Sequence, residues 1–315
     1  MLKSELVFGI DGGGTHSRIA LSTLSGEVIC RLEGKSTNAY ASTENDVKKV
    51  LEMLINDACE RSDVPITALV GGCLGNAGLS RPIEKALFKT YFNSILGEHV
   101  PVRLCNDAEI LLVGGAGEMQ GLCIIAGTGS IALGREVDGT LVRSGGLGWR
   151  LGDEGSAWWI AQQAVNRSLR SLEGRDLETS LHQRLLEYFK LEKFNDFVAL
   201  FNGTKIDKAQ IAAAAPLVTT AALNGDVLAL DILHSAASEL SHLVVSVVKR
   251  MPRLCASTLV YAGGVLQHDE IVLSRFKSLL LQAYPDLVLS KGIGDALDGA
   301  LLLARDLVEK RVSQV

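Results

Sequence analysis

Two glycine-rich turns offer backbone N–H groups that can hold phosphate oxygens. The first, Gly12-Gly13-Gly14, follows the apolar run 6–10 and leads into the hydroxyl donor Thr15. The second, 127–130, reads Gly-Thr-Gly-Ser and follows the apolar run 122–126. A turn without bulky side chains lets successive N–H groups close on an anion. One such turn is weak evidence, because glycine-rich hairpin turns are common. Two in equivalent settings predict a polyphosphate held from both sides.

Two aspartates stand where apolar, strand-like runs end. Asp11 directly precedes the first glycine turn, and Asp107 follows the short run 102–105. A carboxylate beside a phosphate calls for a cation, and Mg²⁺ binds phosphates while keeping several of its waters. Asp11 is therefore a candidate Mg²⁺ ligand, although an Asp can also stabilise a turn through its own backbone. Asp107 could accept a proton as a general base or cap the helix that follows it.

The residues around the two turns form a repeated unit. The first 35 residues read as strand, glycine turn, strand, turn, strand, and the same order returns between 122 and 142. The glycine turns are 116 residues apart, counted from Gly13 to Gly129, and the following turns are 113 apart, from Gly26 to Gly139. Near-constant spacing of a whole unit indicates an internal duplication. Two unrelated hairpins are the alternative.

Strands alternate with helices between the two copies, which predicts a mostly parallel sheet. An amphipathic helix follows a cap at Thr43, with apolar residues at helical spacing from 47 to 58. After residue 150 the chain becomes mainly helical. The predicted later elements are strands 69–74, 102–105 and 258–261, and helices 83–96, 156–172, 177–189, 207–223, 227–250, 270–283 and 295–309.

Composition excludes several classes of protein. The 315 residues carry a net charge of −5 without a basic run, which argues against a nucleic-acid partner because backbone phosphates require clustered cations. No apolar stretch reaches the roughly 18 residues of a membrane-spanning helix, and the apolar N-terminal stretch is too short for a signal peptide. The six cysteines lack zinc-site spacing. We expect a cytoplasmic protein with reduced thiols and no membrane partner.

Six segments in order resemble one superfamily. They are GIDGGGTHSR at 9–18, NDA at 106–108, IAGTGS at 125–130, GGLGWRLGDEGSAWWIA at 145–161, LVYAGGV at 259–265 and GDALDGALLLA at 294–304. Together they resemble the sugar kinase, Hsp70 and actin superfamily, and most closely its N-acetylglucosamine kinase and BadF/BadG/BcrA/BcrD ATPase group. The string at 145–161 is the most specific of these matches.

The resemblance implies an α/β fold of two duplicated ribonuclease H-like domains, of the actin and hexokinase type. Each domain would have a mixed sheet, and a cleft would lie between them. The first would span 1–118, with a closing helix at about 296–315 packing back on it. The second would span 119–295 and carry helical insertions. A homodimer is compatible with this organisation.

The resemblance also implies a role for particular residues. Asp107 would be the catalytic base. The nucleotide, ATP with Mg²⁺, would be bound by Asp11, Gly12, Gly13, Gly14, Thr15, Thr128, Gly129, Gly263 and Gly264, with the metal at Asp11. The sugar would be bound by Asn38, Asn76, Asp107, Gly145, Gly146 and Asp153. Alternatives remain for some of these: Asp153 could cap the helix near Ser156, and Asn38 could be an ordinary loop residue.

The implied activity is ATP-dependent phosphorylation of an amino sugar, N-acetylglucosamine first, at its 6-hydroxyl. Glucosamine and N-acetylmuramate are alternative acceptors in the same family. A BadF-type activator ATPase is a rival, but it requires an iron–sulfur cluster held by cysteines. A chaperone or filament protein that uses ATP as a conformational switch is a rival from another class. A peptide-binding domain of the Hsp70 type has no counterpart in the chain.

Overall fold

The structure is a computed structural model that describes residues 5–13, 16–36, 44–76, 79, 81–202 and 207–313. Thr43, predicted to cap the first helix, lies outside these residues. The strands are β1 Leu6–Gly12, β2 His16–Thr23, β3 Val28–Lys35, β4 Leu69–Asn76, β5 Val102–Cys105, β6 Gly121–Ala126, β7 Ser130–Arg135, β8 Leu141–Gly145, β9 Thr258–Ala262 and β10 Val288–Ser290.

The α-helices are α1 Glu44–Arg61, α2 Pro82–Leu96, α3 Asp107–Ala116, α4 Ala157–Leu172, α5 Leu181–Phe189, α6 Phe197–Asn202, α7 Lys208–Ala212, α8 Ala215–Leu223, α9 Val227–Arg250, α10 Gly264–His268, α11 Glu270–Ala283 and α12 Ala296–Val312. Short 3-10 helices lie at Ile66–Ala68, Phe194–Asp196 and Pro252–Leu254. No helix in the described ranges is long and apolar enough to cross a membrane.

The chain divides into two compact units. The first contains 1–121, 135–140 and 292–315, and the second contains 122–134 and 141–291. The chain therefore passes from one unit to the other four times. The predicted domain limits, 1–118 and 119–295, stay a prediction.

The two sheets share one topology. Their strand orders are β3-β2-β1-β4-β5 and β8-β7-β6-β9-β10. In the first sheet β1 pairs antiparallel with β2 and parallel with β4. In the second, β9 runs parallel to both β6 and β10. The predicted α/β fold with mixed sheets is confirmed, and the repeated strand order is what an internal duplication predicts.

The final helix, α12, completes the core of the first unit by packing backbone against backbone on α3. A Cβ built at Gly114 of α3 would stand 1.9 Å from the carbonyl oxygen of Asp295, and one at Gly299 of α12 would stand 1.8 Å from that of Ile110. Only glycine fits this crossing. The same helix covers β1, where a Cβ at Gly9 would stand 2.9 Å from that of Ala300.

Two features differ from the sequence prediction. The segment 207–223 was predicted as one helix, but it forms α7 and α8, with Pro216 in the first turn of α8. A proline there lacks the N–H that a continuous helix needs, while its fixed φ suits a helix start. The short elements α6, α10 and β10 were not predicted, because three to six residues carry too little periodicity.

Candidate active site

One candidate site lies at the carboxyl ends of three parallel strands in the first unit. There β1 ends at Gly12, whose register partner on β4 is Asn76, and Gly75 is paired with Cys105 at the end of β5. Asp11 and Asp107 therefore stand at the same sheet edge, where ligands of such sheets bind. The predicted residues Gly14, Thr15 and Asn38 lie outside the described residues.

Asp107 occupies the first turn of α3. The N-cap is Asn106, whose side chain accepts a hydrogen bond from the Ala108 N–H at 2.9 Å. The alternative interpretation of Asp107 as the N-cap is therefore wrong. Asp107 also accepts from that N–H, at 2.9 Å. Burial raises the pKa of Asp107, and the negative charge of Asp11 raises it further. Both effects favour the protonated form, so this carboxylate is well suited to accept a proton.

A buried ion cluster holds α3 two residues beyond Asp107. Glu109, which is 2% exposed, accepts from Arg103 at 2.6 Å and from Arg135 at 3.2 Å. Arg135 also donates to the carbonyl of Met119. Two guanidinium groups around one carboxylate fix the start of the helix in the first unit.

Asp11 is paired with an arginine that the sequence analysis missed. Arg18 donates to Oδ2 of Asp11 at 2.7 and 3.2 Å, and to Asp295 at 2.7 Å. The hairpin register sets Asp11 directly opposite Arg18. That register is a signal the sequence contains, because residues equally distant from a hairpin turn face each other. The guanidinium lowers the pKa of Asp295 further, beyond the effect of the backbone hydrogen bond from Asp298.

Asp11 can also serve a Mg²⁺ ion. Both hydrogen bonds from Arg18 end on the same oxygen, Oδ2, and a carboxylate has further acceptor positions. No group of three or more metal-ligating side chains lies within the described ranges. A Mg²⁺ ion can be bound by one or two carboxylates together with phosphates and water.

Another candidate site surrounds the other glycine turn, in the second unit. The turn is closed by a hydrogen bond from the Gly127 N–H to the Gly129 carbonyl, at 2.9 Å. Gly146, in the left-handed backbone region at φ 66°, donates to the Ser130 carbonyl at 2.9 Å. Gly145, at φ 71°, is also left-handed. The specific motif at 145–161 therefore lies directly against the turn.

Asp153 supports this turn and does not cap α4, whose N-cap is Ser156. The interpretation of Asp153 as a helix cap is wrong. Its side chain is buried, accepts a hydrogen bond from the Ser130 N–H at 3.3 Å, and forms an ion pair with Lys208 at 3.1 Å. A Cβ at Gly129 would stand 2.8 Å from the Asp153 carboxylate. The backbone at Asp153 is left-handed, with φ 65°.

A cavity of about 560 Å³ opens beside the turn, within the second unit. The predicted residues Thr128 and Gly264 line it. Gly263 is not one of the lining residues. Its φ is 88°, and a Cβ there would stand 2.4 Å from the backbone of Ala126. Gly263 therefore brings β9 and β6 together. The remaining lining residues are Gly127, Ala157, Ile160, Ala209, Ala212, Ala213, Ala215, Pro216, Thr219, Thr220, Val265, His268 and Asp269.

Most of this wall was missed by the sequence analysis. The sequence feature that could have revealed this wall is the alanine run 212–215, because small side chains leave room for a flat ligand. Asp269 is 8% exposed and caps α11 through the Val272 N–H at 2.9 Å. Thr219 donates to the same carboxylate. The cavity thus pairs an apolar wall with a few oriented polar groups, as small-molecule sites do.

The tryptophans of the specific motif pack on one another. Trp149 lies 4.8 Å from Trp158, centroid to centroid, and the Arg150 guanidinium lies 4.7 Å from the Trp149 ring. Trp158 is 1% exposed and belongs to the core of the second unit, and Trp149 packs against that core.

Comparison with known proteins identifies the family. The profile of the BadF/BadG/BcrA/BcrD ATPase family matches residues 8–304. The chain belongs to this family. The N-acetylmuramic acid/N-acetylglucosamine kinase of Clostridium acetobutylicum is 33% identical over 302 residues, covering 96% of this chain and 98% of that protein. The N-acetyl-D-glucosamine kinase of Dictyostelium discoideum is 31% identical over 320 residues, with the same coverage of 96% and 98%.

Two solved structures have the same fold as this member of the BadF/BadG/BcrA/BcrD family. A protein from Chromobacterium violaceum superposes with a TM-score of 0.72 at 24% identity, covering 96% of this chain and 99% of that one. The ROK hexokinase of Thermus thermophilus superposes with a TM-score of 0.60 at 16% identity, with coverage of 96% and 99%. Both likenesses concern the fold.

Proposed function

We propose that this protein is an ATP-dependent kinase that phosphorylates a hydroxyl of an amino sugar, N-acetylglucosamine in the first place. Asp107 carries the proposal: it is a half-buried carboxylate of raised pKa at the sheet edge that also holds Asp11 and Gly12 of the first glycine turn. The two curated relatives, which align over nearly the whole chain, are kinases of N-acetylglucosamine by name.

In the proposed reaction the sugar hydroxyl attacks the γ-phosphorus of ATP. The new bond joins the sugar oxygen to phosphorus, the bond from phosphorus to the β-phosphate oxygen breaks, and ADP leaves with that electron pair. Asp107 accepts the hydroxyl proton as the bond to phosphorus forms. Most of the remaining catalysis is positioning and neutralisation of charge. Asn76, Asn38, Gly145, Gly146 and Asp153 are the proposed sugar-binding residues.

The cavity beside the second glycine turn is the proposed nucleotide site. Its alanine-lined wall fits the flat base, and Gly127 and Thr128 lie where a phosphate chain would begin. Mg²⁺ would be held at Asp11 and would neutralise charge on the phosphates. We place the protein in the cytoplasm, because that compartment supplies ATP.

An ATP-coupled assay across acceptors tests the proposal. We expect turnover with N-acetylglucosamine and measure it beside N-acetylmuramate, glucosamine and glucose, because one relative is named for two of these sugars. ADP formation without added sugar, together with a visible iron–sulfur absorbance, would favour the activator ATPase. No turnover on any of the four sugars would contradict the proposal.

Replacing the proposed base tests the mechanism separately. Asp107→Asn keeps the size of the side chain but cannot accept the proton, so we expect kcat to fall by about 10²–10⁴-fold. ADP affinity should remain near that of the wild type. Asp286→Asn, an exposed aspartate before β10, is the matched control. A variant of Asp107 that keeps most of its rate would rule out this residue as the base.

A further inference from the structure

The described lining of the proposed nucleotide cavity contains a carboxylate but no lysine or arginine to balance it. Among the residues that the structure describes, which leave out 203–206 just before α7, no lysine or arginine lines the cavity, and the titratable lining residues are His268 and Asp269. Asp153 adds a second carboxylate directly behind the glycine turn. Phosphate groups carry several negative charges, and binding them next to two carboxylates requires a cation close by. The backbone N–H groups of the turn alone do not supply one.

Lys208 supplies a positive charge at this point. It is the first residue of α7, and Ala209, which follows it, lines the cavity. Its ammonium group lies 3.1 Å from Oδ2 of Asp153, the oxygen that a Cβ at Gly129 would approach to 2.8 Å. Asp153 thus stands between Lys208 and the turn. The Lys208 side chain remains 33% exposed, so it is reachable from solvent.

The ammonium has capacity beyond this ion pair. A lysine offers three N–H donors on a flexible stem, and the bond to Asp153 uses one of them. Asp153 has a second anchor, because its other oxygen accepts from the Ser130 N–H. The carboxylate therefore stays in place while the lysine reorients, and the lysine can bridge it to an anion seated on the turn.

We propose that Lys208 binds the terminal phosphates of the nucleotide, with Asp153 holding it against the second glycine turn. This inference rests on the proposed function, since it requires a nucleotide in the cavity. It adds a ligand from the helical segment after α6, which none of the sequence motifs includes. Lys208 is a phosphate-binding residue here, and Asp153, which is also a proposed sugar-binding residue, positions it.

Nucleotides of different phosphate content test the inference. We expect Lys208→Met to weaken binding of ADP and ATP by about 10- to 100-fold, as loss of one hydrogen bond to a charged group does. Adenosine, which lacks phosphates, should bind as it does to the wild type. Lys249→Met, which removes an exposed lysine on α9, is the matched control. Calorimetric titration measures ADP and ATP, and competition against ADP measures adenosine.

A double replacement separates this role from simple neutralisation of Asp153. If Lys208 only neutralised Asp153, Lys208→Met with Asp153→Asn would restore ADP affinity; that result would overturn the inference. If Lys208 binds phosphate, the double variant stays as weak as Lys208→Met. Lys208→Arg keeps the charge and should retain most of the affinity. If Lys208→Met does not fold, the ADP affinities of Lys208→Arg and Lys208→Gln are compared instead.

The outcomes distinguish the two levels of the proposal. Wild-type protein that binds neither ADP nor ATP would overturn the proposed function and this inference with it. Wild-type binding that Lys208→Met leaves unchanged would overturn only the role of Lys208. Equal losses for adenosine and ADP would also overturn it, because they would indicate a disturbed cavity wall.

Discussion

Asp107 and Asp11 are two carboxylates at one sheet edge, and the charge of Asp11 acts on Asp107. Burial is the larger cause of the raised pKa of Asp107, and the charge of Asp11 adds to it. Arg18 binds Asp11 but leaves this influence in place. At the scale of single residues, the proposed base is therefore tuned by a neighbour that is itself a candidate metal ligand.

This coupling predicts the pH dependence of the reaction. A general base works when deprotonated, so kcat should fall on the acidic side around a pKa above the ordinary aspartate value of 3.8. Asp11→Asn removes a negative charge and frees the positive charge of Arg18. Both changes favour ionised Asp107, so the acidic limb should move to lower pH, whatever the loss in maximal rate. The kcat–pH profile measures this, with Asp286→Asn as control. A limb that stays in place or moves to higher pH would contradict the coupling.

Residue types and their order in the sequence indicated the candidate base, the metal ligand and the phosphate turns. The ion pairs around them depend on contacts that form only in the folded chain. Asp11, Asp107 and the glycine turns stand at strand ends, a position that a sequence reveals. Arg18 could have been found from the hairpin register. The Lys208–Asp153 pair spans 55 residues and an irregular helical segment, and no local pattern encodes such a contact. The ion pair of Asp153 could therefore not be predicted, while its role in sugar binding, implied by the family resemblance, stays a prediction.

At the scale of elements, the crossing of α3 and α12 connects the helix of Asp107 to the end of the chain. The two helices approach so closely at Gly114 and Gly299 that no side chain fits between them. The sequence predicted α12, at 295–309, but α3 only as a short segment that Asp107 could cap. It did not reveal their contact, because glycines inside a helix read only as weak helix formers.

The crossing predicts a severe loss of stability for Gly299→Ala. A Cβ would stand 1.8 Å from the Ile110 carbonyl oxygen, so the backbone must move, and overpacking typically costs about 1–3 kcal/mol or more. We expect a lower unfolding midpoint in urea and a lower kcat, because α3 positions Asp107. Gly152→Ala is the control, since its Cβ has 3.4 Å to the nearest atom. A midpoint equal to that of the control would disprove the close packing.

At the scale of the whole molecule, the first unit is assembled from three separate parts of the chain. Its last part, 292–315, contributes α12, which packs on β1, β4 and α3. The repeat of strands was visible in the sequence because both copies use similar turns. The packing of the C-terminal helix on the first unit was predicted only from the family resemblance, because the sequence of a helix does not reveal which sheet it covers.

This organisation predicts that the last helix is indispensable for the first unit. A chain ended after Lys291 lacks α12 and exposes apolar residues that it covers, so we expect aggregation or loss of cooperative unfolding. A chain ended after Val312, the last residue of α12, should behave as the full chain does. Circular dichroism during thermal unfolding compares the two. A folded, cooperative 1–291 chain would contradict the structural role assigned to α12.

The position of α12 also sets the order in which a newly made chain can become an enzyme. Residues 6–116 leave the ribosome early, but the helix that closes over their sheet is synthesised last. At usual rates of synthesis, the intervening stretch takes roughly 10–30 seconds to make. Throughout that time the sheet edge with Asp11 and Asp107 rests on an uncovered core. We therefore expect the proposed base to reach its working position only after α12 has been synthesised and has packed on the first sheet.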